Sequence, residues 1–238
     1  MEQTKQEIKN EFIEKLTEEM KAAPVNRNGF FIRFKNETLN PEQLKRFAGQ
    51  YFWFCKNFIR VLVGLIYNTP AEEDDMRLEL VKTLYSELGY GKKDDIHLNL
   101  LRKFTKALDF TDEDLQKIKP IPEVRNYIEQ LGSTFLKTDF REALGAEFAV
   151  EITALPEFTY LYPGIRKYVN LSDQDIIFFK FHLAEEELHG EWLTEAVLRI
   201  VKTEEDKALI RKGAVKAAQL WGEFWEGMYR YVFEEEKT

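Results

Sequence analysis

The sequence predicts an all-α protein, a bundle of seven to nine helices without a β-sheet, and three observations carry that prediction. No stretch sustains the two-residue apolar alternation of a half-buried strand, and no tight-turn signal sits between two such stretches. Apolar residues recur instead at helical spacing. Capping residues, prolines and glycines punctuate the periodic segments at lengths that suit helices. With no internal repeat, low-complexity tract or linker composition, residues 1–238 read as a single domain.

Between residues 4 and 22, Ile8, Phe12, Leu16 and Met20 fall four apart among Glu and Lys, an amphipathic helix that must end before Pro24. The segment 25–37, with Asn26, Asn28 and Gly29, reads as a connector whose aromatic part FFIRF tucks inward. Asn40-Pro41, with Gln43 three residues after Asn40, opens a helix to about Tyr67. That helix is apolar nearly all round and therefore central. Thr69-Pro70-Ala71-Glu72 reads as a further capping box opening a helix through Leu88, stopped by Gly89 and Gly91. After the charged loop KKDD comes a helix from about Asp94 to Leu108, and Thr111 caps a short one. Pro120 and Pro122 precede an amphipathic segment from about 123 to 136. A long helical stretch from about Thr138 to Tyr168 carries Pro156, which removes one internal hydrogen bond and predicts a kink. Ser172-Asp173 caps the next helix, and Thr203 caps a last one through Glu235.

Composition narrows the function classes. A chain of 238 residues buries roughly 70 to 75% of its unfolded surface, ample interior for a site. A net charge of −8 and a pI near 5.2 argue against nucleic acid or an anionic membrane surface as partner. A small molecule is the expected partner. One cysteine, Cys55, allows no internal disulfide and fits a reducing compartment. The N-terminal residues have no apolar core of signal-peptide type. The greasiest run, 51–67, is interrupted by Lys56, Asn57 and Arg60 and falls short of a bilayer span. The expected location is cytoplasmic, and a homodimer is the default assembly.

The chemistry concentrates in FFKFHLAEEELHGEW. Offsets of four and seven place His182, Glu186 and His189 on one ridge of a helix. Imidazole nitrogen and carboxylate oxygen suit iron, manganese or zinc. The ridge continues through Leu193, Ala196 and Ile200, so the polar group faces the inside of a bundle. Within the EEE run, Glu186 is the geometric choice over Glu185 and Glu187. Metal sites in bundles draw on several helices. His97, the only other histidine, starts a helix just after the loop that ends the helix of Glu87. Glu151, in LGAEFAVEITALP, is costly on an apolar helix unless paired or bound to metal; Glu147 one turn earlier is its alternative.

The ordered set of Glu87 in LYSELGYG, His97 in DDIHLNLLRKF, Glu151 in ALGAEFAVEITALP, then His182, Glu186 and His189 resembles the heme-oxygenase-like di-iron oxidases and oxygenases. The resemblance extends over most of residues 28–193. It implies a heme-oxygenase-like helical bundle in which these six residues bind two Fe(II) ions, manganese being the alternative metal, with O2 as co-substrate and a small molecule oxidised or cleaved. Glu79 is the alternative first carboxylate, because the interval from Glu87 to His97 is longer than is usual for the family. Glu186 stands where an aspartate is common. Death-domain-associated members of the family consume a tyrosine of their own to make 4-aminobenzoate; the matching positions here are Phe31, Val150 and Phe178. Two other readings fit the same fold: a metal-free enzyme of the thiaminase or pyrroloquinoline-quinone-synthase type, and a partner-binding protein without catalysis.

The remaining chemistry-bearing residues have plainer readings. Free cysteine is commonly just buried, and Cys55 has no histidine or carboxylate near it in sequence. Lys56 and Arg60 read as the solvent edge of their helix. Tyr51, Tyr160 and Tyr162 read as packing, whereas Tyr85 and Tyr90 flank Glu87 and merit attention.

Overall fold

The computed structural model describes residues 2–234, with side chains from residue 7 onward. Ten α-helices occur among the described residues, nine of them seven residues or longer, and there is no strand. They are α1 (Glu2–Lys21), α2 (Gly29–Asn36), α3 (Pro41–Asn68), α4 (Asp74–Glu87), α5 (His97–Ala107), α6 (Asp112–Lys117), α7 (Pro122–Lys137), α8 (Phe140–Ile165), α9 (Ile177–Ile200) and α10 (Glu204–Tyr229). Short 3₁₀ turns at Pro24–Arg27, Gly89–Gly91 and Lys93–Asp95 join some of them, and a π turn at Arg230–Glu234 extends α10. The expected end at Glu235 lies outside the described residues. No described helix is long and apolar enough to cross a membrane.

Local chemistry starts these helices. Asn40 caps α3 in a reciprocal box with Gln43, Thr111 caps α6 with Asp114, and Thr203 caps α10 with Asp206. Each box satisfies amide groups that the first turn leaves without a helical partner. Burial then selects the packing. α8 lies at the centre, packed most extensively against α10 and α9.

The α8/α10 seam brings backbone against backbone. A Cβ on Gly145 would sit 1.9 Å from the Ile210 carbonyl oxygen, and one on Gly213 would sit 1.8 Å from that of Glu142. Only glycine leaves room there.

Four sequence expectations are corrected. The segment 25–37 is no connector: Asn28 accepts a hydrogen bond from the Phe30 amide and starts α2, which buries Phe30, Phe31 and Phe34 and leaves Ile32 exposed. Thr69 does not open α4. It closes α3, its hydroxyl donating to the Leu65 carbonyl, while Arg77 donates to the carbonyls of Thr69 and Pro70 and α4 begins at Asp74. α5 begins at His97 rather than Asp94, because Lys93–Asp95 is taken up in a 3₁₀ turn. Ser172 closes a turn with Asp175 instead of capping α9, which begins at Ile177.

Candidate metal centre

The loop between α4 and α5 sets the first group. Gly89 has φ +68°, and a Cβ there would lie 2.5 Å from the backbone of Asp95 and Ile96, so glycine alone lets the chain double back. Two 3₁₀ turns absorb the long interval from Glu87 to His97 and bring Glu87 Oε2 within 3.0 Å of His97 Nδ1. His182 from α9 completes a buried trio, and the donor atoms of Glu87, His97 and His182 lie within 4.8 Å of one another. Glu79 is buried too, but its carboxylate pairs with Lys82 and Arg199, and it joins neither this trio nor the next.

The second trio is Glu151 from α8 with Glu186 and His189 from α9, again buried and within 4.8 Å. His189 Nδ1 lies 3.2 Å from Glu151 Oε2 and 3.7 Å from Glu186 Oε2. The polar ridge of α9 is therefore divided, with His182 serving one trio and Glu186 and His189 the other. Glu147, one turn before Glu151, is fully buried and belongs to neither. Burial, reinforced by the charge of Glu151, pushes the Glu147 carboxyl well above its ordinary pKa.

Ring orientation is fixed from outside each trio. His182 Nδ1 lies 2.8 Å from the Phe178 carbonyl, so it carries the proton and leaves Nε2 as an acceptor. His189 Nε2 lies 3.0 Å from the Ser86 hydroxyl, which leaves Nδ1 facing the carboxylates. Metal-binding histidines are typically held this way through their second nitrogen. Among the described residues, His97 Nε2 and Glu186 Oε2 are buried without any hydrogen-bond partner. Buried polar atoms of that kind are rare and call for an occupant such as an ion. Two sets of oxygen and nitrogen donors fit iron.

Without metal, the trios differ in protonation. Burial alone would raise Glu87, yet the imidazole of His97 beside it, 3.0 Å away, holds it down at about 2. Burial, aided by His97, lowers His182 to about 3, so that ring is neutral. Burial also opposes a charge on His189, but Glu151, 3.2 Å away, outweighs it and raises the ring to about 10. Burial pushes Glu186 well above the carboxylate range. The first trio thus holds an ionised Glu87 beside a neutral His182, whereas the second holds a proton on His189.

Both trios border a cavity of about 70 Å³. Its other walls are largely apolar, from α3, α5, α8, α9 and α10. Two polar lining residues escaped the sequence reading as a site. Tyr51 donates a hydrogen bond of 2.6 Å to Glu157, both residues being almost wholly buried. Glu157 stands in a run with Pro156 and several aromatics, and only the tertiary contact with α3 marks it out. Tyr85 and Tyr90 prove peripheral. Tyr85 donates to the Tyr90 carbonyl and Tyr90 to Glu185, and neither borders the cavity. Cys55 does border it, but burial and then the charge of Glu87 raise its thiol well above the ordinary range, which disfavours the nucleophilic thiolate.

Residues 45–222, from α3 into α10, match the family model described as iron-containing redox enzyme. The chain belongs to that family. It is 25% identical over 222 residues to the 4-aminobenzoate synthase of Nitrosomonas europaea, spanning 88% of this chain and 89% of the relative. It is 23% identical over 189 residues to that of Chlamydia trachomatis, spanning 76% of each. Among solved structures, a CADD-like protein of unknown function from Nostoc punctiforme superposes with a TM-score of 0.79 at 16% identity, covering 97% of this chain and 98% of that one. A TenA homologue from Pseudomonas syringae gives 0.73 at 16% identity, covering 92% and 91%. A domain with a heme oxygenase-like fold from Shewanella denitrificans gives 0.66 at 15%, covering 95% and 94%. These structures establish the heme oxygenase-like fold.

Proposed function

We propose that this family member is a non-heme di-iron oxidase or oxygenase that uses O2 to oxidise or cleave a small molecule seated in the cavity. The observation that carries this reading is the pair of buried trios facing one cavity. Glu87, His97 and His182 would hold one iron, and Glu151, Glu186 and His189 the other. Iron bound there supplies the redox chemistry with O2 that no side chain can perform. The chain contributes positioning. Phe178 and Ser86 orient the two rings of α9, and the aromatic walls keep water from the reacting molecule.

The oxidised molecule is taken to be external. Phe31, Val150 and Phe178 stand where the resemblance places the self-consumed tyrosine and its companions, and none of them carries a phenol. The curated relatives named for 4-aminobenzoate synthesis therefore guide the metal chemistry here and not the substrate.

Anaerobic titration of metal-stripped protein with Fe(II), followed by measurement of O2 uptake, tests the proposal. Two equivalents bind tightly and O2 is consumed. H182A and E151A each bring the stoichiometry down to about one while the helical circular dichroism is retained. A folded wild type that binds no iron overturns the proposal and favours a metal-free enzyme of the TenA type.

A further inference from the structure

Glu157 is a buried carboxyl beside an oxidation site, and neither trio uses it. It sits on α8 six residues beyond Glu151, about 9 Å farther along the helix axis. Its surroundings come from different helices than those of the metal site. The Tyr51 hydroxyl on α3 donates to it at 2.6 Å, and the Trp221 side chain on α10 also favours its ionised form. Both are neutral groups, and among the described residues no lysine or arginine lines the cavity. A carboxylate offers about four acceptor directions, so two neutral partners leave capacity toward the open space. Burial, only partly offset by Tyr51 and Trp221, raises Glu157 to about 8, the mark of an acid whose ionised form lacks a nearby cation. An acid buried for packing alone is costly, and a leucine or glutamine would fill the same wall at less expense.

We propose that Glu157, held by Tyr51 and Trp221, receives a primary amino group of the substrate, which is therefore a short amine whose carbon chain spans the apolar cavity toward the two trios. The proposal rests on the reading that the oxidised molecule occupies this cavity. An ammonium supplies the charge that the site lacks. Phe54, Phe158 and Phe178 supply an apolar surround for the chain, with Val150 and Ala154 leaving space beside the trios. An anionic group gains nothing at Glu157, and among the described residues the cavity offers it no basic side chain other than the imidazoles of the trios.

The test compares n-butylamine with its isostere 1-butanol by anaerobic calorimetry on the iron-loaded protein. The amine binds about tenfold tighter than the alcohol, as a charge-assisted hydrogen bond in a dry site predicts. E157Q brings the two to within about twofold, with iron content, circular dichroism and alcohol affinity unchanged. Equal affinities in the wild type, or an amine preference that survives E157Q, overturn the proposal. Repeating the pair on metal-stripped wild type separates this inference from the di-iron reading: the preference persists there if Glu157 is responsible and vanishes if the amine simply ligates iron. Should E157Q fail to fold, a crystal of the wild type soaked in n-butylamine decides. An amine nitrogen within about 3.2 Å of the Glu157 carboxylate supports the proposal, and a nitrogen placed elsewhere overturns it.

Discussion

Ser86 reaches across from one trio to orient the other: its hydroxyl lies 3.0 Å from His189 Nε2, although its neighbour in sequence, Glu87, belongs with His97 and His182. The end of α4 thereby touches both trios. Removing that hydroxyl leaves a buried ring nitrogen unsatisfied and frees the ring to rotate. S86A should weaken the second iron equivalent by about tenfold while the first binds as before, a difference that anaerobic Fe(II) titration resolves.

Proton release should distinguish the two equivalents. The charge state of Glu87 and His182 already suits a metal, since they sit at about 2 and about 3, so filling the first trio displaces no proton from either. His189 holds its proton up to about 10, and a metal on Nδ1 must expel it. Lowering the pH therefore favours the protonated ring and opposes the metal. Affinity for the second equivalent should fall about tenfold for each pH unit between roughly 8 and 6, for each proton expelled. Calorimetry in buffers of different ionisation enthalpy counts those protons, and a second equivalent that releases none contradicts the assignment of His189.

The seam between α8 and α10 should tolerate no added methyl group. G213A drives a Cβ into the Glu142 carbonyl, and the helices must part. A loss of about 3 kcal/mol is expected, lowering the melting temperature by roughly 6 to 12 °C. Gly222 on the same helix is the control, because a Cβ there meets nothing within 4 Å. G222A should stabilise the protein by about 0.5 to 1 kcal/mol through helix propensity and reduced freedom of the unfolded chain.

The residues of the two buried trios were legible in sequence because such ingredients are scarce. Three histidines are the whole supply, and Glu151 stands out on an apolar helix. The helical periodicity of 182–189 put three donors on one ridge, but it could not show that α9 divides them between two trios. That division depends on the approach of α4 and α8. The choice of Glu87 over Glu79 likewise needed tertiary facts, the fold-back at Gly89 and the cations that engage Glu79. Thr69 misled because its motif fits a helix start, while the preceding helix claims the hydroxyl first. α2 was missed because eight residues beside Asn28 and Gly29 give too few turns for a period to declare itself. Glu157 was invisible for a third reason: its partners lie more than 60 residues away, on α3 and α10.

Where two helices meet through side chains, a rotamer change can let one slide past the other. At Gly145 and Gly213 the contact is made by main-chain atoms, which have no alternative rotamer. The axial registration of α8 against α10 is therefore pinned, and with it the offset between the glutamates of α8 and the Trp221 indole. The cavity has a fixed length along that side. Accommodating a longer occupant would require the opposite wall to yield, so variation in size selectivity should be sought in α3, at Cys55, Phe58 and Ile59, rather than along the pinned seam.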